Sequence, residues 1–228
     1  MVEYVTFDEL AVRCLGSARN LPKSQRLMIA LAGAPGSGKS TLAARLVDTL
    51  NASLSQNCRA VAIPMDGFHL DNAILAKREQ LPVKGSPDTF DVAGFHSLLQ
   101  RLRAPLADSE TLNEHAAAVY IPLFDRSMDL ARMAADQVGP QHRVLIIEGN
   151  YLLLERSPWN TLRELFDFSV MLDVSLSVLE ERLTERWLEH GLDGMQAQQR
   201  ALSNDIPNAR VVLAESGKPD LAFKSVRY

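Results

Sequence analysis

Short apolar runs alternate along the chain with stretches whose apolar residues recur every three or four positions. The runs at 27–32, 59–64, 144–147, 166–172 and 221–226 have the length and continuity of buried strands. Three helical stripes separate them: Leu42, Leu46, Val47 and Leu50; Val92, Phe95, Leu98, Leu99 and Leu102; and Leu176, Leu179, Leu183 and Trp187 before Gly191. Strands that alternate with amphipathic helices predict an α/β fold with parallel pairing and right-handed crossovers.

The ends and the looser segments complete the predicted organisation. Thr6 and Glu9 have the spacing of a capping box that opens a helix, so we expect a helical extension over 1–26. The segments 72–86 and 104–120 are rich in charge, Pro and Gly, and we interpret about 72–120 as insertions. The prediction is one domain over 1–228.

Composition narrows the class of protein. The chain has 228 residues, is 46% hydrophobic and 23% charged, and carries a net charge of −4. These values argue against intrinsic disorder and against a general nucleic-acid coat. Cys14 and Cys58 are too few for a disulfide framework. The start of the chain has no signal-peptide pattern, and no apolar run approaches the roughly 20 residues of a membrane span. We therefore expect a cytoplasmic protein with neither nucleic-acid nor membrane partners.

Residues 33–40 match the pattern G-x-x-x-x-G-K-[ST] between a predicted strand and a predicted helix. The glycines let backbone N–H groups turn toward an anion, and the helix N-terminus adds its positive dipole end. The alternative is a Gly-rich turn that binds no ligand. Between a strand and a helix, such a turn is rarer than a phosphate-binding loop with this pattern. We predict an ATP site with Lys39 on the phosphates and Ser40 on Mg²⁺. The predicted ATP-binding residues of the loop are Gly33, Ala34, Pro35, Gly36, Ser37, Gly38, Lys39, Ser40 and Thr41.

Two carboxylates follow predicted strands. Asp66 comes after the second strand and Glu148 ends the third, and ligands of open parallel sheets bind beyond the carboxyl ends of the strands. The chain lacks the N-K-x-D motif of GTPases and an LSGGQ signature, which favours a small-molecule kinase. We predict Asp66 as the catalytic base, and Ser40, Glu148 and Asp66 as Mg²⁺ ligands. A helix cap or a turn is the alternative role of each carboxylate.

Arg182 and Arg186 stand four residues apart and share a face of one predicted helix. Mobile arginines stabilise the negative charge that phosphoryl transfer spreads over the γ-oxygens. The alternative is a solvated face on which they pair with Glu181, Glu185 and Glu189.

Six motifs occur within about 27–226: the P-loop at 33–40, 64–69 (PMDGFH), 84–91 (KGSPDTFD), 120–125 (YIPLFD), 148–151 (EGNY) and the Arg182/Arg186 helix. In this order they resemble the uridine kinase, phosphoribulokinase and bacterial-type pantothenate kinase group, especially its branch of fructose-transport or nucleoside/pantothenate-like kinases. The resemblance implies a P-loop NTPase three-layer sandwich whose five parallel strands follow the order 2-3-1-4-5. It also implies that the arginine helix belongs to a lid, at about 180–210, that closes on ATP.

The resemblance further implies which residues lie near the phosphate acceptor. They are Phe68, His69, Lys84, Tyr120, Asp125 and Arg126. Uridine kinases have a tyrosine where this chain has His69, so a sugar, a nucleoside and a pantothenate-like compound all stay open as acceptors. His69 has two interpretations, a substrate contact or a hydrogen bond within its own loop. Composition predicts a turn at 204–208. The alternative is that this segment contacts the nucleotide.

The sequence thus predicts an ATP- and Mg²⁺-dependent kinase that transfers the γ-phosphoryl group to a hydroxyl of a small metabolite. Its catalytic residues would be Lys39, Asp66, Arg182 and Arg186. One alternative is an NTP-hydrolysing switch that regulates a partner protein. Another is a nucleotide-binding protein without catalysis, which the intact motifs disfavour. The expected partners are the small-molecule acceptor and a second copy in a homodimer, the commonest assembly.

Overall fold

The computed structural model describes residues 2–106 and 118–224, whose strands and helices alternate as the apolar pattern predicts. The strands are β1 (Glu3–Val5), β2 (Leu27–Gly33), β3 (Arg59–Pro64), β4 (Val119–Asp125), β5 (Leu130–Val138), β6 (His142–Gly149), β7 (Phe168–Asp173) and β8 (Leu221–Lys224). The α-helices are α1 (Phe7–Arg19), α2 (Lys39–Ser53), α3 (Asn72–Lys77), α4 (Val92–Arg103), α5 (Leu176–Glu189), α6 (Gly194–Arg200) and α7 (Ile206–Glu215). A π-helical segment, Ala201–Asp205, joins α6 to α7, and 3₁₀ turns include Met65–Phe68 after β3.

Six parallel strands form the central sheet in the order β1-β8-β7-β2-β6-β3. The five predicted strands are β2, β3, β6, β7 and β8, and their order confirms the expected 2-3-1-4-5 arrangement. Strand β1 adds a sixth strand at the β8 edge, where Tyr4 pairs with Ala222. The N-terminal segment is therefore not a purely helical extension. A strand of three residues is too short to give a readable period.

Helices cover both faces of the sheet and make the predicted three-layer arrangement. Every residue of β2 is buried, and its side chains alternate between two cores. Leu27, Ile29 and Leu31 pack with buried residues of α1 and α2. The other face, which includes Met28, packs with buried residues of α4, α5 and α7. A strand covered on both faces has no polar positions, which is why it appears as a continuous apolar run.

The structure corrects the interpretation of two segments. Residues 120–125 form most of β4, which pairs with β5 in an antiparallel hairpin, and not a loop. Pro122 and a register shift between Ile121 and Leu123 interrupt the period of two that would have revealed the strand. The predicted turn at 204–208 is also wrong, because these residues are helical. Pro207 lies in the first turn of α7, where a missing N–H donor is tolerated.

Other predictions concern segments that are described only in part. The 72–86 insertion contains α3 and a 3₁₀ turn, whereas residues 107–117 of the 104–120 insertion lie outside the described residues. The last predicted strand ends at Lys224, and 225–226 also lie outside them. Cys14 and Cys58 are both free and buried. None of the described helices has the length and apolar character needed to cross a membrane.

Candidate active site

A pocket of about 600 Å³ opens where β2, β3 and β6 reach their carboxyl ends. Parallel pairing of these neighbouring strands brings their three following segments to one edge of the sheet. The predicted site residues that line it are Pro35, Gly36, Gly38, Lys39, Ser40, Thr41, Asp66, His69, Lys84, Arg126, Glu148, Arg182 and Arg186. The P-loop, both strand-end carboxylates and both arginines of α5 therefore share one cavity.

The P-loop backbone bends as an anion-binding loop requires. Gly36 and Gly38 have φ angles of +77° and +93°, which side chains other than glycine rarely allow. Gly38 is the N-cap of α2 and lines the pocket, so the helix starts at the pocket wall; no side chain caps it, and its first N–H groups have no partner within the helix. Gly33, Ala34 and Ser37 do not line the pocket. Gly33 shapes the loop from behind, because a Cβ there would lie 2.7 Å from the Ser37 hydroxyl oxygen.

Lys39 and Glu148 form the buried polar centre of the site. The ammonium group of Lys39 donates a hydrogen bond to the Ala34 carbonyl oxygen at 3.0 Å. The Ser40 hydroxyl donates to Glu148 Oε1 at 3.1 Å. Burial lowers the pKa of Lys39, and the nearby carboxylates of Glu148 and Asp66 oppose that shift. Burial likewise raises the pKa of Glu148 against the opposing charge of Lys39. A bound phosphate would therefore favour the charged form of Lys39, and a bound cation that of Glu148.

Asp66 lies in the 3₁₀ turn that follows β3, and its side chain is one-third exposed (33%). Arg126, directly after the last residue of the hairpin strand β4, approaches it with 3.6 Å between Nη2 and Oδ2. The glycine after Asp66 serves close packing. A Cβ on Gly67 would collide with the carbonyl oxygen of Pro122 in β4. The hairpin is thus held directly against the turn that carries the aspartate.

His69 stands in an aromatic wall of the pocket. Its ring centre lies 4.1 Å from that of Phe90 and 4.6 Å from that of Phe124. Its Nδ1 lies 2.8 Å from the Asp66 carbonyl oxygen, which can only accept, so Nδ1 carries the proton. Burial lowers the pKa of His69, which favours a neutral ring. The hydrogen bond within the loop is present, and a substrate contact stays a prediction for a residue that lines the pocket.

Lys84 lines the pocket and is held in place by polar partners. Its ammonium group donates to Asn72 Oδ1 at 2.7 Å and to the Asp129 carbonyl oxygen at 2.6 Å. It also forms an ion pair with the Asp129 carboxylate at 2.9 Å. With 11% of its side chain exposed, Lys84 is a fixed group and not a mobile surface cation.

The two arginines of α5 point to the pocket and not to a purely solvated face. Arg182 Nη1 donates to the Ser37 carbonyl oxygen of the P-loop at 3.3 Å. Arg186 Nη2 pairs with Asp205 Oδ1 at 3.1 Å. Both arginines therefore line the pocket that the P-loop also lines, and their role at the nucleotide stays a prediction.

Three residues that the resemblance assigns to the acceptor do not line the pocket. Phe68 packs against Phe95 in the core, with 4.9 Å between ring centres. Tyr120 is 49% exposed, because β4 alternates and buries the neighbouring Ile121 instead. Asp125 accepts hydrogen bonds from the N–H and hydroxyl of Ser127 and so stabilises the hairpin turn.

The pocket also contains residues that the sequence did not single out. They are Asn72, Leu81, Gly85, Phe90, Phe124, Asp129, Asn150 and Arg200. Asn204, Asp205 and Asn208 of the predicted 204–208 turn line the pocket as well, and a contact with the nucleotide stays a prediction for them. Phe90, Phe124 and Asn150 lie inside the motifs 84–91, 120–125 and 148–151. These motifs could therefore have indicated them as site residues. No motif or pattern in the sequence indicated Asp129, because only the fold of the hairpin brings it to Lys84.

Comparisons with known proteins agree with this geometry. The family profile of the AAA domain matches residues 21–186. A Schizosaccharomyces pombe protein named "Putative uridine kinase C227.14" is 34% identical over 97% of this chain and 92% of its own length. A crystal structure described as a "putative fructose transport system kinase" from Silicibacter sp. TM1040 is 45% identical, has a TM-score of 0.81 and covers 93% of this chain and 98% of its own.

A more distant structure supports the fold alone. YFH7 of Saccharomyces cerevisiae is 20% identical and superimposes with a TM-score of 0.76 over 98% of this chain and 100% of its own. Together with the P-loop geometry, the relatives confirm the resemblance found in the sequence. The chain belongs to the uridine kinase, phosphoribulokinase and pantothenate kinase group of P-loop kinases, and it is an ATP-dependent phosphotransferase.

Proposed function

We propose that the protein transfers the γ-phosphoryl group of ATP to a hydroxyl of a small polar metabolite, with Mg²⁺ as the metal. One observation carries the proposal: a single cavity is lined by the P-loop, by aromatic and polar side chains that include His69 and Phe124, and by Asp66. We call the part of the cavity lined by the P-loop the nucleotide end, and the part lined by the aromatic and polar side chains the acceptor end. A kinase needs this arrangement because the acceptor must meet the last phosphate in line with its leaving oxygen.

The nucleotide end supplies positive charge and donors. Lys39 approaches the phosphates from the loop, and Arg182 and Arg186 approach from α5. The N-terminus of α2 contributes unpaired N–H groups. These groups are aimed where charge accumulates during transfer, which is the main source of catalysis in phosphoryl transfer.

The oxygens beside the P-loop fit Mg²⁺. Ser40 Oγ and Glu148 Oε1 converge to 3.1 Å on the pocket wall, and both are oxygens of the kind Mg²⁺ prefers. No group of three or more acidic, histidine or cysteine side chains within 2–106 and 118–224 forms a metal cage. Mg²⁺ in kinases typically keeps waters and substrate phosphates as ligands, so few protein ligands suffice. We assign Ser40, Glu148 and Asp66 to hold it, and the bound ion supplies charge neutralisation at the phosphates.

The acceptor end favours a small molecule that carries hydroxyl groups. Two cations there already face carboxylates, since Lys84 pairs with Asp129 and Arg126 approaches Asp66. A cavity of about 600 Å³ that also takes a triphosphate leaves room for a metabolite and not for a macromolecular chain. Asp66 accepts the proton of the acceptor hydroxyl as the oxygen attacks phosphorus.

The experiment is a screen for acceptor-dependent ATP consumption over sugars, nucleosides, pantothenate and other vitamins, followed by an Asp66→Asn variant. We expect one acceptor class to stimulate consumption. Asp66→Asn should lower transfer by about 10²–10⁴-fold, because it loses the general base, and should change the affinity for MgATP much less, because Ser40, Glu148 and the amide oxygen still offer ligands to the ion. Asp88→Asn is the matched control, since that carboxylate is 70% exposed and lies outside the pocket.

Two outcomes would contradict the proposal. Full transfer by Asp66→Asn would remove the aspartate from the reaction. Steady ATP hydrolysis that no acceptor stimulates would instead support the alternative of an NTP-hydrolysing switch, whose turnover needs no second substrate.

A further inference from the structure

The π-helical segment between α6 and α7 has no role in the chemistry described so far, yet it faces the pocket. Asn204 and Asp205 lie in this segment, and both line the cavity together with Asn208 of α7. A π turn inserts an extra residue into a helix and is frequent at functional sites. Here it carries two successive polar side chains that reach the same cavity.

Asp205 binds two neighbouring residues of the lid helix α5. Its Oδ1 accepts a hydrogen bond from Arg186 Nη2 at 3.1 Å, and its Oδ2 accepts one from Trp187 Nε1 at 2.6 Å. Only 13% of its side chain is exposed, compared with 34% for Arg186. The bond to the rigid indole fixes the carboxylate, so the carboxylate in turn fixes the guanidinium. Without it, a long arginine side chain has many rotamers to lose when it meets a phosphate.

Asn204 ties the same segment to the acceptor side of the pocket. Its Nδ2 donates to the Lys84 carbonyl oxygen at 2.8 Å, and its Oδ1 accepts from Asn208 at 3.3 Å. The residue is 5% exposed, so its amide is held in this orientation. Lys84 in turn binds Asn72 and Asp129 through its ammonium group. Contacts thus run without interruption from the hairpin to the lid arginine.

We propose that Asp205 is a positioning residue that orients Arg186 for the phosphates, and that Asn204 ties this position to the acceptor loop at Lys84. The inference rests on the proposed function, because it presumes that Arg186 acts on the nucleotide. Pre-orientation raises the rate because the guanidinium does not have to be ordered during the reaction.

A double-mutant cycle tests the first part. The proteins are the wild type, Arg186→Ala, Asp205→Asn and the double variant. The Asp205→Asn substitution keeps the size of the side chain and an acceptor for Trp187, so the fold should survive, and thermal melting checks this. The readouts are ATP hydrolysis without acceptor at saturating MgATP, and the affinity for the β,γ-imido analogue of ATP by calorimetry.

We expect Arg186→Ala to slow hydrolysis by about tenfold or more, as for the loss of one transition-state donor. Asp205→Asn should slow it by a smaller factor and change analogue affinity less than the rate. The double variant should match Arg186→Ala within about twofold, because coupled residues do not add. Ser203→Ala is the matched control in the same segment, since its hydroxyl is exposed and donates to the Arg200 carbonyl oxygen of its own helix.

Several results would overturn the inference. Single effects that multiply in the double variant would mean that Asp205 acts independently of Arg186. Tighter analogue binding by Asp205→Asn would mean that the aspartate holds the arginine away from the phosphates. If Arg186→Ala changes neither readout, the inference fails, while the Asp66→Asn experiment still decides the proposed function separately.

The second part of the proposal, the role of Asn204, is tested with separate variants. Asn204→Ala and the milder Asn204→Ser should slow hydrolysis less than Arg186→Ala does, and neither should slow it further in the Arg186→Ala background. A full additional loss in that background would separate Asn204 from the lid arginine and contradict the link to Lys84.

Discussion

At the scale of single residues, Arg26 shows how a charge can serve the fold. The residue is 4% exposed, and its guanidinium donates to the carbonyl oxygens of His142, Leu102 and Gly139 at 3.1–3.3 Å. Burial lowers its pKa. The three carbonyls belong to β6, to the end of α4 and to the turn before β6, so one side chain joins three segments.

Replacement of Arg26 should therefore be costly. We expect Arg26→Gln to lower the free energy of unfolding by about 2–4 kcal/mol, because buried carbonyl oxygens lose their donors. Arg13→Gln is the control: its ion pair with Glu3 at 2.7 Å is exposed, and such pairs contribute at most about 1 kcal/mol. Urea denaturation measures both. Equal losses in the two variants would contradict the assignment of Arg26 as a buried structural group.

At the scale of elements, the position of the hairpin depends on the 3₁₀ turn that carries Asp66. Gly67 leaves room for the backbone of β4 at Pro122, and Arg126 at the end of β4 reaches Asp66. In the sequence, Gly67 directly follows the aspartate. The structure shows close approach, which depends on a strand that is distant in the chain.

A pair of glycine substitutions separates close approach from backbone freedom. Gly67→Ala should destabilise the protein by about 1–3 kcal/mol and reduce transfer, because the new methyl group must displace the backbone of β4. Gly16→Ala should instead stabilise it by about 0.5–1 kcal/mol, since Gly16 lies inside α1 with no atom within 4 Å of the added Cβ. Thermal melting measures the change in stability of both variants, and the acceptor assay measures the transfer by Gly67→Ala. A neutral Gly67→Ala would show that the hairpin yields freely.

At the scale of the whole molecule, the site joins distant parts of the chain into one cavity. The P-loop follows β2, the aspartate follows β3, the aromatic wall includes β4, and the lid arginines belong to α5. A ligand that fills this cavity binds the folded state and not the unfolded chain. It must therefore stabilise the whole molecule, by a free energy that grows with the logarithm of the ligand concentration relative to the dissociation constant.

MgATP should raise the midpoint of thermal unfolding in a concentration-dependent way. At 100 times the dissociation constant the gain in unfolding free energy is about 2.7 kcal/mol. Chelation of Mg²⁺ with EDTA should remove much of this gain, because Ser40 and Glu148 would then lack the ion that they are proposed to hold. The Lys39→Ala variant should lose most of the stabilisation by ATP, both with Mg²⁺ and with EDTA. An unchanged shift in Lys39→Ala would contradict the predicted role of the lysine at the phosphates.

The sequence by itself determined five of the six strands of the central sheet, the helices α1, α2, α4 and α5, and the P-loop. These features are local: a strand buried on both faces is a continuous apolar run, and a P-loop is one contiguous segment. The sheet order followed only once the motifs were recognised as those of a known family.

Only the tertiary structure decided the acceptor end. Tyr120 and Phe124 have the same parity in β4, but the register shift between Ile121 and Leu123 lies between them, and only Phe124 lines the cavity. Asp125 falls outside the cavity and accepts hydrogen bonds in the hairpin turn instead. Asp129 and Asp205 act through partners 45 and 19 residues away, Lys84 and Arg186. Such contacts leave no period or motif in the chain, because they arise from the packing of a hairpin and a π turn against a sheet that the sequence had already defined.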